Sequence, residues 1–113
     1  KIFPSLQGKI DGGAIRVPVS DGSMTEITFI LSSSIEMQNI NEAMEHFSQN
    51  DLKGILGVIN EPIVSVDIIG SPLSSAFDSG LSSSFNKMLR IIAWYDNESG
   101  YSNRLLELAK RVN

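Results

Sequence analysis

Apolar positions recur along this chain at two different periods, and the change from one to the other divides it into elements. Lys1 to Gly13 is loop-like, punctuated by Pro4, Gly8, Gly12 and Gly13. From Ala14 to Ser20 the pattern alternates. Ile15, Val17 and Val19 share one side and Ala14, Arg16 and Pro18 the other, which predicts a strand with one buried face and, at Pro18, an edge or a bulge. Asp21-Gly22 supplies a turn, and Glu26 to Leu31 returns with Ile27, Phe29 and Leu31 on one face. The two runs together predict a β-hairpin. After the polar break Ser32 to Ser34 the period lengthens. Ile40, Ala43, Met44 and Phe47 recur every three or four residues, predicting an amphipathic helix over 37–48 that Asn50-Asp51 ends. Ile55 to Ile59 and Ile63 to Ile69 read as β-rich runs on either side of the turn Asn60-Glu61-Pro62. Gly70-Ser71-Pro72 breaks the chain again. A short strand is predicted over 74–78, a Ser/Gly-rich loop over 79–86, and the most apolar strand over 88–95. The chain closes with a helix carrying Tyr101, Leu105, Leu108, Ala109 and Val112 on one stripe.

Strands joined by short turns favour antiparallel pairs. The order strand, strand, helix, four strands, helix therefore predicts an α+β fold with helices on one face of a sheet. Its 113 residues suit one domain, and 42% hydrophobic with 19% charged residues is ordinary for a globular protein. A formal net charge of -4, with no clustered Lys/Arg stripe, argues against nucleic acid or an anionic membrane as partner. No apolar run reaches the roughly 18 residues of a membrane-spanning helix. The chain contains no cysteine, so disulfides, Cys zinc sites and Cys nucleophiles are absent from it. It opens Lys-Ile-Phe-Pro without an initiator Met, the expectation being a piece of something longer.

Candidate chemistry concentrates at the junction Ala93 to Arg104, where the last strand meets the last helix. The stretch holds the only tryptophan, both tyrosines and a run of amide and carboxylate side chains. A helix N-terminus there offers free N–H donors beside groups fixed by a strand. Asn97 has two readings: its amide can orient a planar amide or a ribose, or it can cap the helix together with Asp96. Glu98 reads as an acid in the first helical turn. Tyr101 and Trp94 can stack on a ligand ring or pack in the core. Arg16 reads either as a strand-borne guanidinium for phosphate or carboxylate or as a solvated charge. Asp67 and Asp78, inside apolar runs, are expected to face solvent or to pair with Arg90 or Lys87. His46 reads as a surface helix residue. No metal-ligand cluster, Gly-rich phosphate loop or nucleophile–base pair is present, so these are binders without a reactive centre.

The run Trp94-Tyr95-Asp96-Asn97-Glu98, followed after Ser99 by Gly100-Tyr101-Ser102-Asn103-Arg104, closely resembles the C-terminal signature of the phosphorylating glyceraldehyde-3-phosphate dehydrogenase family. Ile15-Arg16-Val17-Pro18, Leu52-Lys53-Gly54-Ile55-Leu56, Ser74-Ser75-x-Phe77-Asp78 and Pro4-Ser5-Leu6-x-Gly8-Lys9 resemble further family segments in the same order and spacing. The resemblance covers essentially the whole chain and implies roughly the last third of such an enzyme. Residues 1–113 would be part of the catalytic domain, a mixed, largely antiparallel sheet with the C-terminal helix, without the NAD-binding Rossmann domain or the catalytic Cys segment. It implies a cytoplasmic homotetramer that uses NAD, glyceraldehyde 3-phosphate and inorganic phosphate. Arg16 would bind the substrate phosphate or the attacking phosphate, Asn97 the nicotinamide carboxamide, and Tyr101 would lie beside the nicotinamide. Erythrose-4-phosphate dehydrogenase is a close alternative, and a split enzyme or a stand-alone interaction module are others.

The departures from the family pattern carry weight too. The family's nucleophile is a Cys activated by a His, and this chain has no Cys and no glycine-rich dinucleotide loop. His46 does not fall at the catalytic His position. Ser99 stands where most members carry a bulky aromatic. The chain alone is therefore expected to be inactive.

Overall fold

A computed structural model describes residues 3–112. Its centre is β5, Met88–Tyr95, the most apolar strand of the sequence. β1, Ser23–Ile30, runs antiparallel along its whole length, from Ser23 opposite Tyr95 to Ile30 opposite Met88. The other side of β5 is shared. β4, Ser83–Phe85, pairs with its first half, and β3, Ser75–Asp78, pairs with its second half through Ala76–Trp94 and Phe77–Ala93. β2, Leu56–Ile59, lies parallel to β3, so the sheet is mixed, largely antiparallel and five-stranded. With the helices α1, Met37–Gln49, and α2, Ser99–Val112, this is the expected α+β class.

β3 is covered by strands on both sides, and its middle carries the most deeply buried residues, Ala76 and Phe77. Burying a Phe side chain from water is worth about 1.5–3 kcal/mol. Trp94 lies across the sheet from Ala76, and the two pack with Ile68 into the core, with Ile59, Ile63 and Leu73 against them. α1 packs on β2. Asn50 ends α1 by returning its backbone N–H and its side-chain amide to the carbonyl of His46, the amide at 2.7 Å. This satisfies an acceptor that the helix end would otherwise leave open.

Three local expectations fail, each for a tertiary reason. Residues 14–20 are not a strand, and there is no hairpin with β1. The stretch is irregular and exposed, Ile15 to 90%. Alternation alone does not make a strand when no partner edge is offered, and β1 finds its partner about 65 residues further along instead. Ile63 to Ile69 is not a strand either: Ser65–Ile68 is a 3-10 helix. The Asp67 carboxylate accepts the Val64 N–H at 2.8 Å and closes that turn, and Ile68 is the buried residue of the 3-10 helix. This compact crossover is what lets β2 and β3 run parallel, against the antiparallel pairing expected of neighbours. Finally, the Ser-rich loop contains β4, whose residues Ser83 and Ser84 lack the β-branched signature of a strand.

Candidate functional site

The β5–α2 junction is built around Asp96. The residue is 4% exposed, and its carboxylate serves two segments at once. Oδ1 accepts the N–H groups of Glu98 at 2.8 Å and Ser99 at 2.7 Å, capping the first turn of α2. Oδ2 accepts the N–H of Gly70 at 2.8 Å, from the turn that follows the 3-10 helix. The N–H of Ser99, then those of Gly70 and Glu98, hold this carboxyl below its ordinary pKa, against the opposing effect of burial; a contact with the Asp21 side chain lowers it further. Asp96 is thus an anion fixed between two loops.

Because Asp96 takes the cap, Asn97 does not. Asn97 is exposed, and its side-chain amide has no hydrogen bond among the described residues. Tyr101 follows one turn later on α2 and is 67% exposed. The second reading of Trp94 holds: it is buried, and its indole N–H donates to Asp78 Oδ2 at 2.9 Å. Asp78 is also buried and accepts the Leu81 N–H at 2.9 Å on Oδ1. The expectation that Asp78 faces solvent or pairs with Arg90 or Lys87 is therefore wrong, since neutral N–H donors satisfy it. Arg90 instead donates to the Leu81 carbonyl at 3.0 Å and lies 4.0 Å from Glu26 on β1. His46 is exposed on α1, its ring edge-on to Phe47.

Gly100 explains how α2 is seated. A Cβ there would lie 2.6 Å from the Leu73 carbonyl oxygen, so only glycine lets the helix approach the loop before β3 so closely. Arg104, one turn on, holds the same loop at Ser74 and the connection before β2 at Gly54. Its guanidinium donates to the Gly54 carbonyl at 3.2 Å and the Ser74 hydroxyl at 3.3 Å, and pairs with Glu107 at 2.7 Å. Sequence reasoning gave Arg104 no role. Its signal was available, since an Arg one turn inside a helix reaches back past the N-terminal face.

Arg16 stands apart. It lies on the exposed stretch before β1, and among the described residues no hydrogen bond or ion pair joins it to the junction or to any other group. The rigid strand that would have held its guanidinium is not formed. Asn97 and Tyr101 thus stand exposed four residues apart at the junction, and no hydrogen bond or ion pair among the described residues ties Arg16 to them. No group of three or more Asp, Glu or His side chains is placed to hold a metal among the described residues.

Comparison with known proteins bears on this arrangement. Residues 1–97 match the family model described as glyceraldehyde 3-phosphate dehydrogenase, C-terminal domain. The match takes in Arg16 and ends at Asn97. Over 111 residues the chain is 45% identical to glyceraldehyde-3-phosphate dehydrogenase of Mycolicibacterium smegmatis and 46% identical to that of Mycobacterium leprae, covering 98% of this chain and 33% of each relative. The Haloarcula vallismortis glyceraldehyde-3-phosphate dehydrogenase is 41% identical over 112 residues, 99% of this chain and 33% of the relative. The chain thus spans about a third of the length of the curated relatives it matches, and these similarities run on through α2.

Proposed function

We propose, from the premise that this chain belongs to the glyceraldehyde 3-phosphate dehydrogenase C-terminal domain family, that it serves as the C-terminal part of an NAD-dependent, phosphorylating, glycolytic dehydrogenase. In that role it supplies one wall of the active site, within a cytoplasmic homotetramer acting on glyceraldehyde 3-phosphate and inorganic phosphate. NAD, when bound, accepts the hydride. This chain's part is to hold and orient. Asn97 offers an amide donor and acceptor to the nicotinamide carboxamide, Tyr101 lies beside the ring, and Arg16 holds a phosphate. The residues fit that task in kind, since an amide and an aromatic ring stand exposed one helical turn apart. The nucleophile and the Rossmann domain belong to residues this chain does not contain, so residues 1–113 alone are inactive.

The observation that carries the reading is the uncommitted amide of Asn97. A capping asparagine would have had its oxygen occupied by the helix, but Asp96 performs that task. In the full-length dehydrogenase carrying this segment, Asn97→Ala is expected to weaken NAD binding about tenfold, the loss of one or two ligand hydrogen bonds. Arg16→Ala is expected to raise the concentrations of phosphate and aldehyde phosphate needed for half-maximal rate. Unaltered NAD affinity and turnover in the first variant would leave Asn97 as a surface residue. Unchanged saturation by phosphate in the second would remove Arg16 from the site.

A further inference from the structure

We infer that Asp96 is the positioning residue for the nicotinamide contact, an inference that rests on the assignment of Asn97 proposed above. Asn97 lies in a short turn between a strand and a helix, where its own backbone has little to hold it. Asp96 holds that turn from both sides. Oδ1 gathers the Glu98 and Ser99 N–H groups, which fixes where α2 begins. Oδ2 reaches Gly70, 26 residues earlier in the chain, and ties the same turn to the crossover before β3. With Gly100 seated on Leu73 one residue into the helix, the turn that carries Asn97 is held on its helix side as well. The two oxygens do separable work. A cap alone would place the helix, whereas the Gly70 tie sets the turn against the sheet.

Asp96→Ser separates them, because serine is an equally good cap but is too short to reach Gly70. Asp96→Asn is the second variant: its Oδ1 still caps, while its Nδ2 meets the Gly70 N–H as donor against donor. In the full-length dehydrogenase both variants are expected to raise the KM and Kd for NAD about tenfold, as for one lost ligand hydrogen bond. The KM values for aldehyde and phosphate should not move. A merely structural loss would instead lower the active fraction, reducing kcat with KM unchanged. A cofactor analogue gives a sharper reading: with 3-acetylpyridine adenine dinucleotide, which keeps the carbonyl but lacks the NH2 that the Asn97 oxygen would accept from, the penalty of Asp96→Ser should be smaller than with NAD. A penalty equal with both cofactors, or a fall in kcat alone, overturns the positioning role. Asn97→Ala tells the two failures apart. If it raises the NAD KM while both Asp96 variants do not, the positioning inference fails alone; if none of the three does, the nicotinamide assignment fails with it.

Discussion

At the scale of single residues, the junction shows which part of a motif reads directly from the chain. Asp96 and Asn97 were equally good caps on paper, since both side chains can accept from a helix N-terminus. Local sequence does not choose between them. The choice comes from Gly70, whose N–H lies within reach of Asp96 only once the crossover has folded. Asp78 and Trp94 teach the same point. Asp78 is legible as unusual in an apolar run and Trp94 as a core candidate, but their mutual hydrogen bond depends on β3 and β5 being neighbours. Gly100 gives a residue-scale test with two opposed effects. Replacing a helical glycine by alanine ordinarily gains about 1 kcal/mol. Here the new methyl would meet the Leu73 carbonyl oxygen, a backbone atom that cannot swing aside. Overpacking of this kind costs about 1–3 kcal/mol, so the net effect of Gly100→Ala is expected to be destabilising. Urea unfolding followed by the fluorescence of Trp94 should show a lower midpoint at unchanged slope, and a higher midpoint would mean that α2 is free to shift.

At the scale of elements, the strands and helices that formed as read are those whose apolar pattern meets a partner. β5, α1 and α2 lie within a residue or two of the expected bounds, and β2 and β3 fit the runs assigned to them. The run around Ile15, Val17 and Val19 has an equally regular alternation but no edge to join, and it stays irregular. Period alone therefore identifies a face, not its partner. β4 shows the converse, a strand made without strand-like residues. Its neighbourhood also solves a problem that the sheet creates. One side of β5 passes from β4, which ends opposite Arg90, to β3, which begins opposite Ala93. In the gap, the Ile92 N–H has no strand to donate to, and the Ser82 hydroxyl accepts it at 2.9 Å. Ser82 is buried, so the contact cannot be replaced readily by water. Ser82→Ala is expected to cost about 1–3 kcal/mol, the range for leaving a buried donor unsatisfied. Amide exchange at Ile92 should accelerate more than that of its neighbours. Unchanged protection there would show that another acceptor takes over.

At the scale of the whole molecule, the surface is too large for the chain. A compact protein of 12.3 kDa has about 6,100 Å² of accessible surface. This chain has 8688 Å². Its radius of gyration is 15.5 Å, where about 13 Å is usual for this length. Much of the excess is apolar: Ile15 on the stretch before β1, Ile30 at the end of β1, Phe85 in β4 and Val112 in α2 are each at least 75% exposed. The helical stripe read from the sequence is real, but Leu105 and Leu108 are about half exposed on it. Apolar patches beyond a few hundred Å² seldom stay uncovered on a monomer. The expected behaviour of residues 1–113 in isolation is self-association at concentrations on the order of 10 µM, with binding of the dye ANS. Sedimentation velocity would show species heavier than 12.3 kDa. Replacing Leu105 and Leu108 together by lysine should reduce both the association and the dye binding, because the pair lies on one face of α2 and neither side chain is buried. A wild-type chain that sediments as a compact monomer and leaves ANS dark would mean that the stretch before β1 and α2 fold back over these faces. The excess surface would then belong to one arrangement of the chain rather than to its sequence.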